Sequence, residues 1–135
     1  MNFHFFKYHG AGNDFILLDN RSGIYNHLKN KDTVAALCHR RFGIGADGLM
    51  MIENSDSYDF KMVYYNADGN EGSMCGNGGR CIVAFAHKLG IIDNKTKFIA
   101  SDGQHEADLI GSEYVNLKMQ DVEQMDMYTD HVILN

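Results

Sequence analysis

The chain of 135 residues suits one domain, and its hydrophobic fraction of 44% is enough to bury a core. Its net charge of −6 argues against a nucleic-acid partner, because affinity for a polyanion depends on basic contacts. No basic, apolar leader opens the chain and no apolar run approaches the roughly 18 residues of a membrane span, so we expect a cytoplasmic protein with no membrane partner.

The first residues are predicted to form a pair of strands. Residues 2–7 place Phe3 and Phe5 on one face of the first strand, and residues 15–18 form the second. The glycine-rich turn at residues 8–14 favours pairing between these two strands.

A helix is expected next, over residues 33–41, with Asn30 or Asp32 as its N-cap. The basic residues at its C-terminal end suit the helix dipole, and Gly43 is predicted to stop the helix.

The middle of the chain is a glycine-rich loop that leads into an apolar run. Strands at residues 49–53 and 60–65 precede the loop, which covers residues 73–81. The run after it is predicted to be a helix that Gly90 caps. Because residues 81–86 are apolar on nearly every side, this helix should pass through the middle of the domain.

The last third of the chain returns to strands. Residues 97–100, 105–110 and 114–119 are predicted to form a meander, and residues 121–129 form a linker before a further strand begins at 131–134. The whole pattern predicts an α+β domain, in which a mostly antiparallel, curved sheet wraps around one central helix.

Four loops rich in Gly, Asn and Asp are the first candidates for a site. Each alone is more often a turn, but four in one small chain favour function, because sites are built on loops that a rigid scaffold positions. Asn13 and Asn66 carry amides that can grip a carboxylate or an ammonium group. His9 is either catalytic or a brace for its turn. The loops lie at residues 9–14, 43–48, 66–72 and 75–80.

Cys75 is the candidate reactive group. It directly precedes a glycine-rich helix start, where unpaired N–H groups and the helix dipole attract a carboxylate and favour a thiolate. The alternative is a small buried hydrophobe, which Cys38 and Cys81 are expected to be. The three cysteines lack the spacing of a zinc site or a disulfide framework, so no metal is expected.

Four blocks of the sequence together resemble the diaminopimelate epimerase family. They occur in order, at spacings like the family's, and cover the chain to about Met119. Proline racemases and phenazine-type isomerases share the family's fold but match the first two blocks less well. The resemblance implies a diaminopimelate-epimerase-like domain. The blocks are HGAGNDF at 9–15, GIGADG at 43–48, YNADG at 65–69 and CGNGGRC at 75–81.

The resemblance also implies an enzyme that needs no cofactor and interconverts LL- and meso-2,6-diaminopimelate, on the route to lysine and peptidoglycan. Family members invert the α-carbon with two cysteines, one on each face of the substrate. Backbone donors at a helix N-terminus can stabilise the carbanion by binding its carboxylate. The family's site residues match Cys75 as one catalytic cysteine, Gly76 and Asn77 as the carboxylate clamp, Asn13 and Asn66 as substrate contacts, and Gly48 where some members place a substrate-contacting Gln.

The main departure from the family is the absence of its second, pseudo-symmetric domain, which carries the other cysteine. Neither Cys38 nor Cys81 lies in a matching motif. We therefore expect residues 1–120 to be the N-terminal epimerase-like domain and residues 121–135 to be a linker and the start of a missing C-terminal domain of the same protein. This chain alone is expected to be inactive. Full-length relatives are often dimers, which leaves a homodimer open.

The alternative function is a non-catalytic module of the same fold that binds amino acids or carboxylates. Such a module would keep the helix end and lose the chemistry. A phosphate-binding domain is disfavoured by the net charge and by the absence of a P-loop lysine.

Overall fold

Most of the fold is one curled sheet with a helix inside it. The computed structural model describes residues 3–73, 76–111, 114–118 and 131–133, the last range by its backbone alone. In this part of the chain the helices are α1 (Lys31–Cys38) and α2 (Gly76–Lys88), with a 3-10 turn at Asn26–Leu28. The strands are β1 (Phe6–Gly10), β2 (Asn13–Asp19), β3 (Gly48–Glu53), β4 (Lys61–Asn66), β5 (Lys95–Ala100), β6 (Gly103–Ile110), β7 (Tyr114–Lys118) and β8 (His131–Ile133).

The strands lie in the sheet in the order in which they occur in the chain. β2 pairs with β3 in parallel, as β4 does with β5, and the other neighbouring pairs are antiparallel. A parallel pair needs a crossover connection, which α1 provides between β2 and β3 and α2 between β4 and β5. The predicted α+β arrangement, a mostly antiparallel, curved sheet around a central helix, is confirmed.

α2 passes through the middle of the domain, as its apolar sequence predicts. It contacts β1, β2, β3, β6 and β7, which lie on several sides of it. Cys81, Ile82, Val83, Phe85 and Ala86 are fully buried. The rings of Phe6 and Tyr8 on β1 pack against Phe85 at centroid distances of 5.0 and 5.8 Å. The helix therefore holds the sheet in its curled shape through apolar contacts.

The opposite face of the first strands packs on α1 and the loops around it. Alternation along β2 sends Phe15 and Leu17 toward α2, and Ile16 and Leu18 toward this second core. β2 and β3 are thus buried on both faces. This burial fixes the register, because a slip of one residue would exchange the two faces.

The predicted first strand and its turn are wrong in position. β1 begins at Phe6 and runs to Gly10, which pairs with Asn13, so the turn contains only Ala11 and Gly12. Both turn residues have positive φ, 51° and 94°, as in a type I′ turn. A two-residue turn lets the hydrogen-bond ladder between β1 and β2 continue up to the turn itself. Most of the glycine-rich block at residues 8–14 is therefore strand.

The predicted end of the first helix is also wrong. α1 begins at Lys31, where the side chain of Asn30 accepts a hydrogen bond from the amide of Thr33 at 2.9 Å, so one of the two predicted caps is confirmed. The helix ends at Cys38, before the basic residues. Gly43 does not stop the helix. Instead, the chain after α1 folds back so that a Cβ added at Gly43 would lie 2.0 Å from the carbonyl oxygen of Ala36.

The central helix starts at Gly76, as predicted from the glycine-rich helix start after Cys75, and so takes in most of the predicted loop at residues 73–81. Residues 76–80 form its first turns, although three of them are glycines. Its end is confirmed: Gly90 has a φ of 79°, its amide donates to His87 and the amide of Ile91 donates to Ala86, which is a Schellman motif.

The C-terminal meander is confirmed as β5, β6 and β7. The predicted linker at 121–129 lies outside the described residues, and the predicted division at 120/121 therefore stays a prediction. β8 adds to the same sheet by pairing with β7.

Candidate active site at one edge of the sheet

Three of the predicted site residues lie at the same edge of the sheet because of its topology. β2 and β3 run in parallel, so Asn13 and Gly48 both stand at strand starts on one side. β4 runs in the opposite direction and ends there with Asn66, which pairs directly with Gly48. We call this side of the sheet the site edge.

The same residues also share one face of the sheet. Side chains alternate along a strand, so Asn13 lies on the face of Phe15, and Gly48 on the face of Met50. Phe15 and Met50 belong to the core around α2. Asn66 is exposed. Because it lies two residues after Tyr64, it is on the same face as Tyr64, which packs against that core. The site residues therefore form the open end of the core that encloses α2.

α2 begins at this open end. The side-chain Nδ2 of Asn77, in the first turn of the helix, donates to Oδ1 of Asn13 at 2.6 Å, which ties the helix start to β2. Asn66 packs against the segment before the helix, since a Cβ on Gly72 would lie 2.7 Å from its Nδ2. Asn13, Gly48, Asn66, Gly76 and Asn77 thus lie at the same end of the core, and their roles in a site stay a prediction. Cys75 lies outside the described residues.

The amide of Asn13 is oriented by a carboxylate that the sequence did not single out. Nδ2 of Asn13 donates to Oδ2 of Asp47 at 3.1 Å, and the same oxygen accepts the amide of Asp14 at 3.1 Å. An ionised carboxylate accepts only, so the Nδ2 side of Asn13 must face Asp47. Its Oδ1 is thereby turned toward Asn77. A carboxylate at the end of a glycine-rich block was the signal that could have indicated this role.

An ionic cluster on the other face of the sheet supports the same loops. Asp14 accepts two hydrogen bonds from Arg40, at 2.8 and 3.0 Å, and one from Lys7 at 2.9 Å. Arg40 also donates to Asp47 at 3.0 Å. The Arg40 guanidinium holds the pKa of the Asp14 carboxyl well below its usual range, with Lys7 acting in the same direction. The cluster joins β1, β2 and the loop after α1.

The two described cysteines are core residues, as predicted. Cys81 is fully buried within α2, and Cys38 is 2% exposed at the end of α1. Burial raises the pKa of the Cys38 thiol to about 11, with Asp14 adding to the effect. Neither thiol can reach a substrate at the site edge without a change in the core.

The described residues give little sign of other ligand chemistry. No group of three or more His, Cys, Asp or Glu side chains that could hold a metal is found among them. None of the described helices is long and apolar enough to cross a membrane. A groove of about 680 Å³ lies on the outer face of β5, β6 and β7, lined by both lysines and carboxylates such as Lys97 and Glu106. It contains none of the predicted site residues.

The sequence is closely similar to curated diaminopimelate epimerases. The family model of that description matches residues 5–124. The diaminopimelate epimerase of Flavobacterium psychrophilum is 55% identical over 130 residues, which are 96% of this chain and 50% of that protein. The one of Chlorobaculum tepidum is 52% identical over 112 residues, 82% of this chain and 43% of that protein. The chain spans about half the length of the curated relatives it matches.

Solved structures with a similar fold come from more distant proteins. A phenazine biosynthesis protein of the PhzF family from Bacillus anthracis has a TM-score of 0.63 at 15% identity, over 84% of this chain and 39% of that one. A hydroxyproline epimerase from Agrobacterium vitis has a TM-score of 0.61 at 12% identity, over 85% of this chain and 40% of that one. These similarities confirm the predicted epimerase-like fold, and at such low identities they show the fold alone.

Proposed function

The chain belongs to the diaminopimelate epimerase family, and on that premise we propose that it supplies one half of a cofactor-independent epimerase that interconverts LL- and meso-2,6-diaminopimelate. The observation that carries this proposal is the convergence of Asn13, Gly48, Asn66 and the start of α2 at the site edge. The amides and the helix end together offer the donors that an amino-acid substrate requires.

In the proposed mechanism, the substrate carboxylate binds at the start of α2. The amides of Gly76 and Asn77 stand in the first turn, where helical N–H groups lack partners within the helix and the dipole is positive. Negative charge develops on this carboxylate as the α-carbon loses its proton. Donors placed there stabilise the transition state more than the ground state, which is the condition for catalysis.

Cys75 is the proposed base or acid on one face of the substrate. As a thiolate it takes the α-proton; the electron pair of the broken C–H bond moves into the carboxylate, and a thiol on the opposite face then donates a proton to the α-carbon. Inversion requires this second group. Cys38 and Cys81 are buried in the core, so neither supplies it. We assign it to a C-terminal half of the same protein.

The test compares two polypeptides with LL-diaminopimelate as substrate. The first is the 135-residue chain, and the second is the product of the reading frame continued past Asn135. Formation of the meso isomer, measured by chiral chromatography, is expected for the longer product and not for the chain alone. Cys75→Ser in the longer product should reduce turnover by about a hundred- to ten-thousandfold, as loss of a proton-transfer group does. Absence of turnover by the unmodified longer product would refute the proposed function.

A second candidate, a carboxylate-binding module without catalysis, is favoured by the buried state of both described thiols. Its amides and helix end could hold a ligand without any acid or base. Under that reading, diaminopimelate raises the melting temperature of the 135-residue chain while phosphate does not, and the longer product does not epimerise.

A further inference from the structure

The backbone conformation at Gly48 does not require a glycine. It stands at the start of β3 and its φ lies outside the left-handed region, so any residue could adopt its conformation. A Cβ at this position would lie 2.8 Å from Cε1 and 3.1 Å from the hydroxyl of Tyr64, and 2.8 Å from the carbonyl oxygen of Tyr65. A glycine inside a strand often marks a close approach of this kind. Gly48 therefore makes room for the ring of Tyr64.

The ring of Tyr64 leans toward the site edge. In the ladder Tyr64 pairs with Met50, whereas Gly48 pairs with Asn66. To lie over Gly48, the phenol extends along the strand by two residue positions, and its hydroxyl reaches the row that contains Asn66. An edge-to-face contact with Phe15, at a centroid distance of 6.2 Å, supports the ring from β2.

The surroundings of Tyr64 change from apolar to polar along its side chain. Met50 and Met62, on the same face, are at most 2% exposed, whereas Tyr64 is only half-buried. The base of the ring packs against the core around α2, and its tip lies beside Gly48, in the row that contains Asn66. A phenol hydroxyl can donate to a carboxylate or accept from an ammonium group.

We propose that Tyr64 is a further substrate-contacting residue, whose hydroxyl binds a polar group of the amino acid on the β4 side of the site. This inference rests on the proposed function. The start of α2 binds one carboxylate from one side, and Tyr64 and Asn66 fix the orientation of the ligand from the other. Gly48 takes part by leaving the space that the ring needs.

The test is Tyr64→Phe in the polypeptide that turns over diaminopimelate, with Tyr65→Phe as the matched control. Tyr65 is the next residue of the same strand, on the opposite face and in the other core, so its variant also loses one hydroxyl and keeps the ring. A hydrogen bond to a charged group is lost only in Tyr64→Phe, which should raise KM roughly ten- to hundredfold with kcat nearly unchanged. Tyr65→Phe should leave KM unchanged.

Gly48→Ala provides an independent variant, because it retains the hydroxyl and displaces the ring. It should also raise KM, and the double variant with Tyr64→Phe should be little worse than Tyr64→Phe alone. An unchanged KM in Tyr64→Phe, or equal increases in Tyr64→Phe and Tyr65→Phe, would overturn the inference while the proposed function stands. If the parent protein has no turnover, the proposed function itself has failed.

Discussion

At the residue scale, Asp47 links the ionic cluster to the amides of the site. Its Oδ2 accepts from Asn13 and from the amide of Asp14, while Oδ1 accepts from Arg40. Asn13 in turn accepts from Asn77 at the start of α2. Because an ionised carboxylate can only accept, Asp47 orients the side-chain amide of Asn13, and Asn13 in turn orients that of Asn77.

We predict that Asp47→Asn disturbs this chain of hydrogen bonds. An amide has one acceptor oxygen, so it cannot accept from Arg40 and Asn13 on separate oxygens as the carboxylate does. Loss of a hydrogen bond to a charged group should lower the free energy of unfolding by about 1.5–3 kcal/mol and raise KM severalfold. Urea unfolding and steady-state kinetics measure the two effects.

Asp56→Asn is the matched control for that substitution. Asp56 is an exposed carboxylate in the turn between β3 and β4, at the far side of the sheet from the site edge. Its variant removes the same charge and should behave as the parent protein does. If Asp47→Asn and Asp56→Asn had equal effects, the positioning role of Asp47 would be wrong.

Residue type alone could indicate Asn13 and Asn66 as site residues, since amides in glycine-rich loops suit an amino-acid ligand. It could not indicate Asp47 or Tyr64. The role of Asp47 depends on the pairing of β2 with β3, which brings the loop before β3 beside Asn13. The role of Tyr64 depends on how far its ring extends along β4. Both facts arise from packing between segments far apart in the chain.

At the element scale, the β1–β2 hairpin contains an alanine where its turn favours another residue. Ala11 has a φ of 51°, a region that Asn adopts more readily than Ala, and Gly12 follows with a φ of 94°. Asn-Gly is the preferred pair for a type I′ turn. The natural turn is therefore locally strained, and the pairing of β1 with β2 maintains it.

We predict opposite effects of two substitutions in this turn. Ala11→Asn should raise the free energy of unfolding by about 0.5–1 kcal/mol, because Asn fits the turn better. Gly12→Ala should lower it by about 1 kcal/mol, since a Cβ there meets no atom within 4 Å and only the backbone conformation opposes it. Urea midpoints at a constant m-value measure both. Changes of the same sign would contradict the assignment of the turn.

The elements that the sequence predicted best are those in which local and tertiary preferences agree. The end of α2 has a glycine at the Schellman position, and the C-terminal meander alternates polar and apolar residues. Helix propensity alone could not give the start of α2, because Gly76, Gly78 and Gly79 disfavour a helix locally. Burial of Gly78 and Gly79 inside the curled sheet offsets that preference.

At the scale of the whole molecule, the ionic cluster joins three segments of the chain at one point. Lys7 lies on β1, Asp14 on β2 and Arg40 in the loop after α1, and all three meet at the carboxylate of Asp14. The contact between that carboxylate and Arg40 is bidentate, which is the strongest geometry for such a pair. Protonation of one residue should therefore loosen three segments together.

We predict that Asp14 makes the protein sensitive to acid. The pKa of Asp14 is lower in the folded than in the unfolded state, so the unfolded state binds a proton first as the pH falls. Its stabilisation is complete above about pH 5 and is lost progressively from the ordinary aspartate pKa of about 4 down toward the folded value. The free energy of unfolding, from urea titrations at pH 6 and pH 3, should fall more for the parent protein than for Asp14→Asn. The difference between the two proteins should be largest at pH 6 and smaller at pH 3, whereas Asp56→Asn should follow the parent. A constant difference between the parent and Asp14→Asn at both values would mean that Asp14 contributes by packing and not by charge.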